Sequence, residues 1–477
     1  MTFRDLHETF RDIEDRYELF GRRIEGMPFW DYLRFPVWYR VLEESGTCDK
    51  PQRVETPEGL WASLGDSMRK LKYSAVRNPF LASECEFLFI GHPRRRLMPD
   101  GTYWDAYCDH IIDHLGGDRC LLLERRGGSL GRHLQPAHTR RLAYTDAFAL
   151  HRRLPGTGLS PMRLGSGDRE MLARIDREFH ERTGTNTDLE GLLQRKVREH
   201  RIKTPLYERL VKRLRPRAAL LVCSYGLEPE VAVFRRHGVP TIELQHGVIT
   251  PYHPGYAYPP GAGKELFPDY FFSFGRFWEE SVGLPLRKER MLTLGYPFLE
   301  ESLGAYKSTG KRKRILFLSQ GAIGGSLSRF AVGLQERLPE DWELVYKLHP
   351  GEIPGWRDRC PHLAASSITV VEGDKPPLYQ LMSKARIQIG VFSTALFEGL
   401  ALGCRTYVVS LPGHEYMETL ISRGEVDKID DPRQVCLDDG DARNPRQGSD
   451  FFAPHWRNNL ERALESIGLM KRNGPAG

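Results

Sequence analysis

Short apolar runs of strand length, separated by helix-length amphipathic stretches, dominate the second half of this chain. AALLVCS (218–224), VPTIELQ (239–245), DYFFSFG (269–275) and MLTLGYP (291–297) form one series. ILFLSQG (315–321), WELVYKLHPG (342–351), SITVVEG (367–373), RIQIGVFS (386–393) and CRTYVVSLPG (404–413) form a second. Strands that alternate with helices pair in parallel, and parallel strands buried on both faces read as continuous apolar runs. The rhythm therefore predicts an α/β protein with two parallel sheets. The polar, basic stretch EESLGAYKSTGKRKR (300–314) separates the two series and marks the domain boundary.

With 477 residues, the chain is too long for one core and fits two α/β domains. The expected organisation is an N-terminal helical cap (1–80), a first Rossmann-like domain (81–300), a second (301–455) and a C-terminal helix and tail (456–477). EFLFIG (86–91) is an early strand of the first domain. The cap contains FWDYLRFPVWYRVLEE, whose Trp30, Tyr32, Leu33, Phe35, Trp38 and Tyr39 suit a packing face. A second reading makes that face, with the basic run RKLKYSAVRN (69–78), a membrane-surface or acceptor-docking element.

The totals exclude several classes. No window offers the ~20 apolar residues of a spanning helix, and the first twenty residues are charged throughout, so a cytoplasmic protein is expected, with peripheral membrane association left open. Eight scattered cysteines lack CxxC spacing and read as reduced thiols. A formal charge of +6 permits an anionic partner, yet basic and acidic residues are interleaved and no nucleic-acid-binding signature is present. Nucleic acid is therefore not an expected partner.

In open parallel sheets, ligands bind beyond the carboxyl ends of the strands, where loops converge and helices present free N–H groups. The residues just after the strands are His92, Gln245-His246-Gly247, Gly275, Tyr296, Gln320-Gly321, His349-Pro350-Gly351 and Ser393-Thr394. Three are histidines. In IELQHGVI the glycine allows a sharp turn or close approach, and the imidazole stands at the rim of a rigid sheet. An imidazole titrating near pH ~6.5 can accept a hydroxyl proton at neutral pH, so His246 is the candidate general base.

In GVFSTALFEGLALG (390–403), Ser393 and Thr394 open a helix suited to a phosphate, and Glu398 lies one turn deeper among apolar neighbours. A buried carboxylate needs a partner; a ribose diol would serve, as would an internal salt bridge. In YKLHPG, Lys347 and His349 project to one side of a regular strand and suit a phosphate leaving group. Gly321, Gly324 and Gly325 sit in a strand-to-helix loop that matches no named phosphate motif. HPRRRLMPDGTYWDAY (92–107) reads as a polar turn carrying Arg94, Arg95 and Arg96, with Asp100 and Asp105 as candidate acid/base residues.

Taken in order, QHG, GYP, a glycine-bearing loop, K-x-HP and G-x-[FS]-S-T-x-x-x-E-G-x-x-x-G resemble the GT-B glycosyltransferases of surface polysaccharide assembly. The likeness is to the capsule group that includes Kdo transferases and is akin to the CDP-glycerol glycerophosphotransferases. GRRIEGMPFWDYLRF and HPRRR-x(7)-YWDAYCDHIID extend it over most of the chain. The resemblance implies two Rossmann-like domains facing across a cleft, with the nucleotide held by the second. It makes His246 the base of an inverting transfer. Gln320, Gly321, Lys347, His349, Ser393, Thr394 and Glu398 become donor-binding, and His92, Arg94, Arg95 and Gln245 acceptor-binding.

The implied partners are a nucleotide-sugar donor, a glycan or lipid-linked glycan acceptor and other polysaccharide-assembly enzymes. No cofactor is implied, since the nucleotide-sugar is a substrate. No DxD-like pair ends a strand in the second half, so no metal site is expected. Val391-Phe392 stand where teichoic-acid enzymes usually carry an aspartate, which speaks against glycerol phosphate as the transferred group. The alternatives are a sugar-nucleotide 2-epimerase and a non-catalytic nucleotide-sugar-binding subunit of an assembly complex.

Overall fold

A computed structural model describes residues 1–47, 76–92, 95–98, 100–124, 136–145, 148, 161–306, 310–437 and 450–471. In the first half, β1 (Phe87–Gly91) is followed by an antiparallel hairpin, β2 (Arg95–Leu97) and β3 (Tyr103–Asp105). Then come β4 (Cys120–Glu124), β5 (Leu142–Tyr144), β6 (Ala218–Val222), β7 (Thr241–Leu244), β8 (Tyr270–Ser273) and β9 (Met291–Thr293). Apart from the hairpin they form one seven-stranded parallel sheet in the order β5-β4-β1-β6-β7-β8-β9.

The second half contributes β10 (Arg312–Leu318), β11 (Glu343–Lys347), β12 (Thr369–Val371), β13 (Ala385–Gly390), β14 (Arg405–Val409) and β15 (Asp427–Ile429). Their parallel order is β12-β11-β10-β13-β14-β15. Both sheets are Rossmann-like, as the rhythm of apolar runs predicts. Each reverses its strand order once, between β1 and β6 and between β10 and β13, and such switch points open a crevice at the carboxyl ends of the strands.

The N-terminal helices α1 (Phe3–Arg16) and α2 (Phe29–Glu44) share a core with the helices Ser166–Thr183 and Leu189–Leu214. The cap is thus assembled from both sides of the early strands, not from residues 1–80 alone. Trp30, Tyr32 and Trp38 are buried in it, while Tyr39 is exposed. The aromatic face is used mainly for packing; the basic run at 69–78 lies almost wholly outside the described residues. No described helix is long and apolar enough to cross a membrane.

Arg34 locks the cap to the first domain. Its guanidinium pairs with buried Glu14 at 2.6 Å and donates to the carbonyls of Pro254 and Ala257, while Trp30 donates to Glu14 at 2.7 Å. The cap also reaches the second half, where Arg4 pairs with Glu418, which accepts a hydrogen bond from Tyr252. At the other end, residues 450–471 return to the first half. Ala453 donates to the Phe274 carbonyl, Trp278 to that of Phe451, and Asn459 to that of Leu294.

A buried acid pair follows the hairpin. The Asp105 carboxylate accepts the backbone N–H groups of His92, Tyr107 and Cys108, and Asp109 accepts those of Asp105 and the Thr139 hydroxyl. Burial, reinforced by neighbouring carboxylates, pushes both acids up to about 7. Between pH ~4 and ~7 the folded protein therefore keeps protons that the unfolded chain has lost, so stability falls as pH rises through that window. Melting temperature is expected to fall from pH 5 to pH 8, with a flatter slope in Asp109→Asn. An unchanged slope in that variant would show that the pair does not titrate there.

Candidate active site

His246 follows β7, one strand from the first switch point. Its Nδ1 is 3.1 Å from the Tyr256 hydroxyl and its Nε2 is 3.1 Å from that of Tyr225. Tyr107 donates to the His246 carbonyl at 2.7 Å, and the His92 ring stacks against the imidazole with centroids 5.8 Å apart. Behind this layer Glu243, fully buried within β7, accepts from Tyr256, from the Ser224 hydroxyl and from the Ser224 N–H.

That chain of bonds determines where the imidazole proton sits. Tyr256 has one proton and directs it to the Glu243 carboxylate, so its oxygen is left to accept from Nδ1–H. Nε2 then carries the lone pair and faces the Tyr225 hydroxyl, which is also within reach of the Cys223 thiol. This is the tautomer a general base needs, with its acceptor nitrogen on the side of Tyr225. Phe35 of α2 stacks on Tyr225 with centroids 4.1 Å apart, so the cap reaches within two side chains of His246.

Across the cleft stand the loops of the second switch point. Ser393 caps the helix Thr394–Ala401 by accepting from the Ala395 N–H at 3.2 Å. A side-chain carbon on Gly247 would lie 3.4 Å from the Thr394 hydroxyl, so the QHG turn lies close to the start of the helix Thr394–Ala401. A Cβ there would make only ordinary contact, so the space does not by itself require glycine after the histidine. Gly399 is different, because a side chain there would overlap Gln388, whose amide donates to the Leu396 carbonyl at 2.7 Å.

Lys347 donates to the Gly373 carbonyl at 2.5 Å. Burial lowers its pKa, opposed by Asp374 and reinforced by Arg96. The His349 Nδ1 accepts the Gly351 N–H at 3.1 Å, leaving the proton of a neutral ring on Nε2. Glu352, which the sequence reading missed, accepts the His349 N–H at 2.9 Å and the Ser319 hydroxyl at 3.0 Å, holding two strand-end loops together. Glu398 is only 3% exposed and lies within electrostatic reach of Arg96 from the other half.

Several expected contacts have other duties. Gln245, 2% exposed, accepts the Phe274 N–H and donates to the Gly247 carbonyl, so it shapes the turn and does not face an acceptor. Arg95 is taken up by a buried pair with Glu124 at 2.6 Å, and Arg94 lies outside the described residues. Strand alternation sends Arg96 the opposite way, toward the cleft. Gln320 accepts the Phe392 N–H at 3.3 Å and ties the two loops of the second switch point, while Gly321 is an exposed turn residue. Asp100 caps the exposed turn at Thr102, and Asp105 is occupied by backbone donors. His92, His246, Lys347, Ser393, Thr394 and Glu398 are brought to facing strand ends.

No protein-family model and no curated protein matches the chain. Solved structures of similar shape include an enzyme titled a putative UDP-N-acetylglucosamine 2-epimerase from Listeria monocytogenes, 12% identical over 80% of this chain and 96% of that one, with a TM-score of 0.48. The S. aureus MnaA–UDP co-structure is 13% identical over 81% and 98%, with a TM-score of 0.47. The glycosyltransferase SnogD from Streptomyces nogalater is 15% identical over 81% and 100%, with a TM-score of 0.42.

Proposed function

We propose that the chain is an inverting, GT-B-type glycosyltransferase that moves a sugar from a nucleotide-activated donor to a hydroxyl of a surface glycan or lipid-linked glycan. His246 takes the acceptor proton on Nε2 as the oxygen attacks the anomeric carbon, and the acceptor hydroxyl replaces that of Tyr225 at this nitrogen. Lys347, the Nε2–H of His349 and the helix start at Ser393-Thr394 receive the charge that grows on the leaving phosphate. Glu398 accepts the ribose hydroxyls. The observation that carries this reading is the His246 imidazole, its Nδ1 3.1 Å from the Tyr256 hydroxyl, on a turn that comes close to that helix start. A 2-epimerase would need acids free to exchange a proton at carbon, and Asp105 and Asp109 are engaged by backbone and hydroxyl donors.

Melting of the full chain with CMP, CDP, UDP or GDP tests the donor half of the reading. At 100 times its dissociation constant, one nucleotide should stabilise the fold by roughly 2.7 kcal/mol. Glu398→Gln should weaken that nucleotide by about tenfold, since hydrogen bonds to a charged group contribute about 1.5–3 kcal/mol. If none of the four moves the melting point, the donor assignment is wrong; full affinity in Glu398→Gln would assign the carboxylate to Arg96 alone.

A further inference from the structure

A cavity of about 620 Å³ lies between the β2–β3 hairpin, the helix Pro297–Tyr306 and the helix Leu378–Lys384. Its size is that of a small-molecule site. Leu97, Met98, Phe298 and Leu378 form apolar walls, and Arg96 and Tyr379 line the same space. Tyr379 is 6% exposed and its hydroxyl has no hydrogen-bond partner in the structure. Leaving such a group unmet costs about 1–3 kcal/mol, so the donor is provided for something that binds.

Arg96 points to the charge of that ligand. Among the described residues its guanidinium makes no hydrogen bond and no ion pair within 4.0 Å, although it lies in a desolvated part of the cleft. Burial works against its charge, and the Glu398 carboxylate sustains it. Of the acids beside the cavity, Glu301 accepts from the Trp456 indole and pairs with Arg457, while Asp374 and Lys375 stand side by side at the rim with opposite charges. A bare sugar would leave its hydroxyls unmet against these walls, and a free inorganic anion would leave the walls unused.

We propose that this cavity binds an apolar chain carrying a phosphate, an alkyl or prenyl phosphate, with the phosphate on Arg96 and the Tyr379 hydroxyl and the chain among Leu97, Met98, Phe298 and Leu378. The site deepens the transferase reading by naming the anchoring group of the acceptor. It rests on that reading for its role but not for binding itself. Arg96 is close to Glu398, so the phosphate would enter the cleft on the donor side of the hairpin.

Titration calorimetry of the full chain with n-octyl phosphate, inorganic phosphate and n-octanol tests this. Octyl phosphate should bind at least tenfold more tightly than either of the others. Tyr379→Phe, which removes only an oxygen without a partner, should fold normally and weaken octyl phosphate about tenfold; Leu378→Asp should weaken it further, and both should keep the nucleotide melting shift. Octyl phosphate binding no better than inorganic phosphate, or unchanged in both variants, overturns the proposal. A lost nucleotide shift with retained octyl phosphate binding would instead count against the donor reading. Sedimentation with phosphatidylcholine vesicles carrying phosphatidate identifies the source: Arg96-dependent pelleting indicates a bilayer headgroup, and octyl phosphate binding without pelleting a soluble carrier.

Discussion

His246→Ala is expected to reduce sugar transfer by about 10²–10⁴-fold, the usual contribution of a positioned general base, while nucleotide affinity stays the same. The separation follows from the architecture. The imidazole is carried by the first sheet, whereas Lys347, Ser393 and Glu398 belong to the second. Tyr256→Phe should give a smaller loss and shift the pH profile, because Nδ1–H would lose the oxygen that holds it and the two tautomers would become closer in energy. A His246→Ala protein with full turnover would remove the base from the mechanism. Loss of nucleotide binding in the same variant would place the imidazole in the donor site.

Arg34→Met is expected to cost about 3 kcal/mol in chemical denaturation, because it leaves the buried Glu14 carboxylate with only the Trp30 indole and the more distant Arg11 at 3.5 Å. Few single substitutions in this chain should cost more, since total stabilities are only about 5–15 kcal/mol. The variant also frees the carbonyls of Pro254 and Ala257, which flank Tyr256. Any folded remainder should therefore show weakened turnover as well as lowered stability. The double variant Arg34→Met with Glu14→Gln should recover part of the loss, as removing both charges often restores what removing one destroys. A single variant as stable as the native chain would mean that the cap is held by its apolar core alone.

Ten sheet strands were legible because each is an apolar run closed by glycine or a polar turn, whereas β4, β5 and β15 were not read from the sequence: β5 and β15 have only three residues each, and β4 sits against a largely polar stretch. The facing of His246 and Thr394 was legible for the same reason, since both follow strands whose carboxyl ends must point into the crevice. Arg95 and Arg96 show where reading stops. HPRRRLMPDGTYW looked like a polar turn, although its Asp-Gly step is a hairpin signal; once the hairpin is seen, alternation alone separates the paired arginine from the one in the cleft. Glu243 carried its own signal, an acid in the middle of a buried strand, which requires a partner. Tyr225 and Tyr256 carried none. They reach His246 through loops whose course depends on tertiary packing, including α2, which lies nearly two hundred residues earlier in the chain.

The polypeptide crosses between the two sheets twice, once after β9 and again where residues 450–471 come back, and Arg4 and Tyr252 meet Glu418 at a third place. Phe277 and Trp278 also pack on Phe397, and Phe298 on Tyr379, so the halves are held by buried rings as well as by two covalent straps and the Glu418 clasp. A substrate too large for the crevice would have to part those rings to enter, so the apolar seam, more than the exposed ion pair, sets the cost of opening.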